Sequence, residues 1–143
     1  MTQVLQSRTF GAVLTAAIVG LTLATGYIHF TLGGVLFTLN ALGYAGLAAI
    51  YVAGAMAPMP IIEKFSWFPR VALIGYAATT IVGYLIMGPY FTLGWIAKGV
   101  EATMIVLVAV DILRVYGSPM GFVRAALDSV APVLPERFRP TAA

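Results

Sequence analysis

Cysteine is absent from the 143 residues. That excludes disulfides, iron–sulfur clusters and thiolate metal sites. Charge is scarce: 9% of the residues are Asp, Glu, Lys or Arg, against about 25% in soluble domains. A soluble protein is therefore not expected. There is one histidine, too few for bis-histidine ligation of a membrane haem except across a dimer. One histidine beside one carboxylate also falls short of a metal site, so no metal ligands are assigned. The basic residues are sparse and not interleaved with aromatics, so nucleic acid is not an expected partner. No phosphate-cradling glycine loop, nucleophile elbow or zinc-protease motif occurs. Serine is rare in the apolar runs and no nucleophile adjoins His29. No catalytic residue is assigned, and a non-enzyme is the favoured expectation.

What remains is overwhelmingly apolar, with 61% hydrophobic residues and a mean hydropathy of +0.97. Four runs stand out, at about 9–30, 35–56, 71–87 and 95–116. A spanning helix needs roughly 20 residues. The first run is longer than the apolar core of a secretory leader and no clean small-x-small site follows it, so a retained helix is expected. Thr31–Gly34 makes a tight turn into the second run. Residues 57–70, APMPIIEKFSWFPR, interrupt the pattern with Pro58, Pro60 and Pro69 and with Glu63 and Lys64. Trp67 between Phe65 and Phe68 suits a headgroup-level anchor. Gly88-Pro89 stops the third run.

These features predict an all-α, integral-membrane four-helix bundle over residues 1–116. Arg8, Lys64, Arg70, Arg114, Arg124, Arg137 and Arg139 all fall on one side of four spans, and neither intervening turn is basic. The positive-inside rule then places both termini in the cytoplasm of a multi-pass inner-membrane protein. In the tail, 117–143, Ser118-Pro119 is a good helix start. Phe122, Val123, Ala126, Leu127 and Val130 would form the apolar face of a short interfacial helix, closed by Pro132 and Pro135. Beyond it a flexible stretch with Arg137 and Arg139 is expected.

Each run has a polar or small face, as helices that associate in lipid require. The first carries Gly11, Thr15, Thr22, Thr25 and His29 on one stripe, beside an Ala12, Ala16, Gly20 ladder. The second carries Ala45, Ala49, Ala53 and Ala57, and a stripe with Asn40, Tyr44 and Tyr51. The third aligns Tyr76, Thr80 and Gly83; the fourth aligns Lys98 and Glu101 with Ile105 and Val108. Helix packing is the ordinary meaning of such stripes. There is also a hint of internal repetition: Gly26-Tyr27 before Phe30-Thr31-Leu32-Gly33 echoes Gly83-Tyr84 before Phe91-Thr92-Leu93-Gly94.

The fourth run sets the main question, because ionisable groups inside an apolar run cost several kcal/mol unless paired or wetted. At about 1.5 Å per residue, His29, Asn40, Lys98 and Glu101 all come to similar depth below the two short turns. With Tyr27, Tyr44 and Tyr84 nearby they form one candidate polar cluster. Lys98 and Glu101, at i and i+3, can pair on their own helix.

Three roles fit this cluster. In the first it is structural, fixing helix register. In the second it is a pocket for a quinone or lipid, where a histidine and a carboxylate exchange protons. In the third it is one station of a proton or ion path, with Asp111 as another. Asp111 lies close to Arg114, so a simple pair is the more economical expectation there.

The stretches GYIHFTLGGVLFTLNALGY at 26–44 and GPYFTLGWIAKGVEATMIVLVAVDI at 88–112 resemble small four-helix membrane proteins of prokaryotes, similar in layout to the DoxX-like group. Shared features are a histidine near the end of the first span, a glycine-rich second span and a polar start to the fourth. The resemblance covers residues 9–116 and implies a membrane subunit beside quinone-linked oxidoreductases. The expectation drawn here is a non-catalytic accessory or assembly subunit, partnered by the bilayer and by other membrane subunits or further copies of itself. The alternative is a binder or carrier of a small lipophilic molecule, quinone or lipid, through His29, Asn40, Lys98, Glu101, Tyr44 and Tyr84. No obligatory cofactor is expected.

Overall fold

A computed structural model describes residues 7–57 and 59–133. The positions of Pro58, Pro135, Arg137 and Arg139, and with them the expected flexible stretch, lie outside the described residues. Every regular element among the described residues is helical: α1 (Arg8–Leu32), α2 (Val35–Met56), α3 (Pro60–Lys64), α4 (Trp67–Met87), α5 (Thr92–Tyr116) and α6 (Pro119–Val130), then a 3-10 turn, Ala131–Val133. Three of them, α1, α2 and α4, are long and apolar enough to cross a membrane. The fourth long helix, α5, equals α1 at 25 residues but carries Lys98, Glu101, Asp111 and Arg114 within its length.

Local chemistry explains the boundaries. Ser7 opens α1 by accepting the Phe10 amide at 3.1 Å, which satisfies one orphan donor of the first turn. Gly33 and Gly34 close it with φ of 71° and 83°. That left-handed region is open to glycine and costly for other residues, so the chain reverses in two residues. The third long helix begins at Trp67 rather than at 71, with Pro69 inside its first turn. A proline is tolerated there because first-turn amides have no intrahelical acceptor. The fourth begins at Thr92, three residues before the expected start. The five-residue α3 was not anticipated from the proline-rich connector.

The long helices form a ring in the order α1, α2, α4, α5. Each packs on its two neighbours, and α2 and α4 meet least closely. Ile18, Leu73, Ala77, Met104 and Val108 have no exposed surface, and Tyr44 and Tyr51 almost none. The inward stripe of α1 is as expected, with Gly11, Thr22, Thr25 and His29 buried. The small-residue ladders are a correction. Ala12, Ala16 and Gly20 on α1, and Ala45, Ala49 and Ala53 on α2, are exposed. The threonines and His29 need partners and take the inward face, which rotates the adjacent ladder outward.

Helix α6 folds back beside α4 and α5. Ser118 caps it by accepting the Gly121 amide at 2.9 Å. Ser129 is buried and accepts the Trp67 indole N–H at 2.8 Å, while Phe122 packs edge-on against Tyr116. Val123 and Leu127 do not share that buried face; both are nearly half exposed, beside Arg124. The two halves of the apparent repeat also differ. Tyr27 is 70% exposed, whereas Tyr84 turns in and bonds the Phe91 backbone.

Candidate functional site

Two buried ionic networks sit on α5, one toward each end of the ring. Near the two short turns, Glu101 has no exposed surface. Its Oε1 accepts the Thr25 hydroxyl of α1 at 2.9 Å. Its Oε2 accepts the Lys98 ammonium at 2.5 Å and faces the Thr80 hydroxyl of α4 at 2.9 Å. The Thr80 hydroxyl also lies 2.9 Å from the Ala77 carbonyl. It carries one hydrogen; donated to Glu101, it leaves the Tyr44 hydroxyl, 2.9 Å away, to donate to Thr80. One carboxylate thus joins α1, α2, α4 and α5.

His29 completes this end. Its Nδ1 lies 2.8 Å from the Thr25 carbonyl. A carbonyl only accepts, so Nδ1 must carry a hydrogen. Nε2 then points at Glu101 Oε1 from 3.9 Å, beyond hydrogen-bond reach. It makes no hydrogen bond among the described residues, although the residue is 4% exposed. The imidazole packs on Tyr44 and Phe37, with centroids 5.5 and 6.1 Å away.

Beside His29 opens a cavity of about 350 Å³. His29, Asn40, Thr80 and Lys98 supply its polar wall; Leu32, Leu36, Phe37, Met87, Phe91 and Ala97 make it largely apolar. Lys98 Nζ also sits 5.9 Å over the Tyr84 ring. A concave apolar site of this size with a few convergent polar groups suits a small ligand.

Of the six candidate residues, His29, Lys98 and Glu101 come together directly. Tyr44 joins through Thr80, and Tyr84 lies under the lysine. Asn40 shares the cavity wall, but its Oδ1 accepts the Tyr76 hydroxyl, 2.7 Å away, and among the described residues it makes no hydrogen bond with Glu101 that would join it to the cluster. Tyr27 is outside the cluster. Thr25 and Thr80, which hold Glu101, were on the inward stripes but had not been singled out; a threonine facing an ionisable residue across the ring was the available signal.

The second network lies toward α3 and α6. Asp111, 1% exposed, is not in a simple pair. Its Oδ1 accepts Arg114 at 2.9 Å. Its Oδ2 accepts Arg70 of α4 at 2.9 Å and Tyr51 of α2 at 2.7 Å. Arg70, counted in the sequence with the basic residues of one side, is 3% exposed. It also donates to the Ser66 carbonyl and lies over the rings of Tyr51 and Tyr116. Between the networks Ile18, Leu73, Met104 and Val108 fill the middle with no exposed surface, joined there by Thr22, whose hydroxyl lies 3.0 Å from the Met104 sulfur.

Among the described residues no group of three or more His, Asp or Glu is arranged to hold a metal ion. No family model matches this chain, and neither does any curated protein or solved structure.

Proposed function

We propose that this chain is a four-helix protein of the cytoplasmic membrane, both termini inside, that binds a small lipophile with a neutral oxygen-bearing head, quinones being the leading class. One observation carries the reading: a buried histidine whose Nε2 has no hydrogen bond, on the wall of a largely apolar cavity. Glu101 already balances the charge of Lys98, so a neutral carbonyl or hydroxyl fits better than a phosphate. Lys98 can offer a remaining hydrogen to such an oxygen, and His29 Nε2 can accept from a hydroxyl or, once protonated, donate to a carbonyl. The filled middle of the ring opposes conduction along α5, since ions and protons need polar or wetted stations.

The test is binding of a decyl benzoquinone to the purified protein in mild detergent, followed by tryptophan quenching. Trp95 stands 5.5 Å from the Tyr84 ring on the cavity wall, within range to respond. Saturable quenching that is lost in Glu101→Gln and His29→Ala, both still helical, supports the proposal. Absent or non-saturable quenching overturns it.

A second reading, an accessory subunit of a larger membrane assembly, is favoured by the exposed small-residue ladders of α1 and α2. Small residues let neighbouring helices approach closely in lipid. Co-purification of a stoichiometric partner from native membrane would support it.

A further inference from the structure

We infer that the apolar groove between α2 and α4 is the channel through which the tail of the bound lipophile leaves the His29–Lys98 cavity. This rests on the ligand-binding reading above and names the shape of its ligand: a compact polar head carrying one apolar chain. The groove holds about 420 Å³ and is lined by Gly43, Leu47, Ala72, Gly75 and Tyr76. It opens sideways along the least closely packed seam of the ring. Asn40, Thr79 and Thr80 line both the groove and the cavity, so the two spaces adjoin at those residues. A second apolar groove runs between α1 and α2, lined by Leu23, Phe30 and Ala45 among others. It shares no lining residue with the cavity, so a tail reaching it would have to cross packed helix.

The border between cavity and groove is built around one ring. Tyr76 abuts Gly43 with its hydroxyl end, where a Cβ would come within 2.2 Å of the phenol oxygen. The Tyr76 hydroxyl reaches Asn40 Oδ1 at 2.7 Å, tying α4 to α2 where the two spaces meet. Tyr44 and Thr80 make a second hydrogen bond across the seam, at 2.9 Å; the Tyr76–Asn40 bond, at the border itself, is the latch that a passing chain displaces. Elsewhere on the cavity rim the Tyr84 hydroxyl accepts the Phe91 amide at 3.1 Å and lies against Gly94.

The experiment uses the full chain in nanodiscs and a benzoquinone bearing a photoreactive diazirine at the end of a decyl tail. Labelled peptides are mapped by mass spectrometry. The expected result is label concentrated on α2 and α4 around Leu47 and Ala72, lost when excess tailless benzoquinone is added. A Cβ at Gly75 meets no atom within 4 Å, and the same holds at Gly83 on the cavity wall and at Gly99 on the outside of α5. Leucine at each is therefore expected to fold.

Gly75→Leu should remove groove label while tailless benzoquinone still binds. Gly83→Leu should remove both, and Gly99→Leu neither. Label on the α1/α2 groove, or groove label unchanged in Gly75→Leu, overturns the tail channel and leaves the head site standing. Label that excess tailless benzoquinone does not compete overturns both together.

Discussion

The two ends of the ring solve one problem in opposite ways. Both bury a carboxylate of α5 and both recruit tyrosine and basic partners. At the α3 and α6 end, Asp111 is saturated: two guanidinium groups and a phenol fill both oxygens, and Arg70 is itself held by aromatic rings and a backbone carbonyl. At the turn end, Glu101 is equally buried but its histidine neighbour stops short of it and lines an open cavity. The first arrangement is closed and locks three helices. The second is closed on the helix side and unfinished on the cavity side. The unfinished half is where the proposed ligand would bind.

That contrast can be broken by substitution. The largest effect is expected for Asp111→Ala, which leaves Arg70 and Arg114 without their shared carboxylate. Removing one partner of a buried ion pair costs about 3–5 kcal/mol, so the melting transition in detergent should fall steeply or folded protein should fail to accumulate. Glu101→Gln keeps an acceptor for Thr25 but strands the Lys98 charge. A loss of about 1–3 kcal/mol is expected, and quinone binding should disappear with it. A Glu101→Gln penalty equal to that of Asp111→Ala would erase the distinction drawn here.

His29→Ala sharpens it further. The variant loses one hydrogen bond to a backbone carbonyl, worth about 1 kcal/mol, so thermal unfolding should shift little while binding weakens tenfold or more, which is about 1.4 kcal/mol or more. Stability loss without binding loss would make the turn end merely structural. The smallest effect belongs to the middle. Thr22→Val removes the contact with Met104, and polar contacts between membrane helices average about 0.6 kcal/mol. Neither unfolding nor binding should change by more than that.

How much of this was legible in the sequence follows from physics rather than luck. Lys98 and Glu101 were conspicuous because charge inside an apolar run must find a partner, and their spacing supplies one. His29 was conspicuous as the lone histidine at matching depth. Thr25 and Thr80 were not, because a helical threonine ordinarily bonds the carbonyl four residues back, as Thr22, Thr79 and Thr103 do here. Sequence cannot say which threonine aims elsewhere. The burial of Arg70 was not legible because counting basic residues per side says nothing of depth, and Pro69 in the first turn of α4 disguised how early that helix begins. The small-residue ladders were misdirected because two neighbouring stripes compete for one interior, and the stripe with hydrogen bonds to satisfy prevails. The cavity itself has no sequence signature; it is the space left where α2 and α4 stand apart.

The two-glycine reversal between α1 and α2 has a consequence for how the molecule is made. Both flanking helices are long and apolar enough to cross a bilayer, and the link between them holds no ionisable side chain. Delivering such a hairpin to the far side of a membrane requires no charge to be dragged through oil. On the proposed topology the pair enters the bilayer as one antiparallel unit, with the Thr25 and His29 face already formed and waiting for α5.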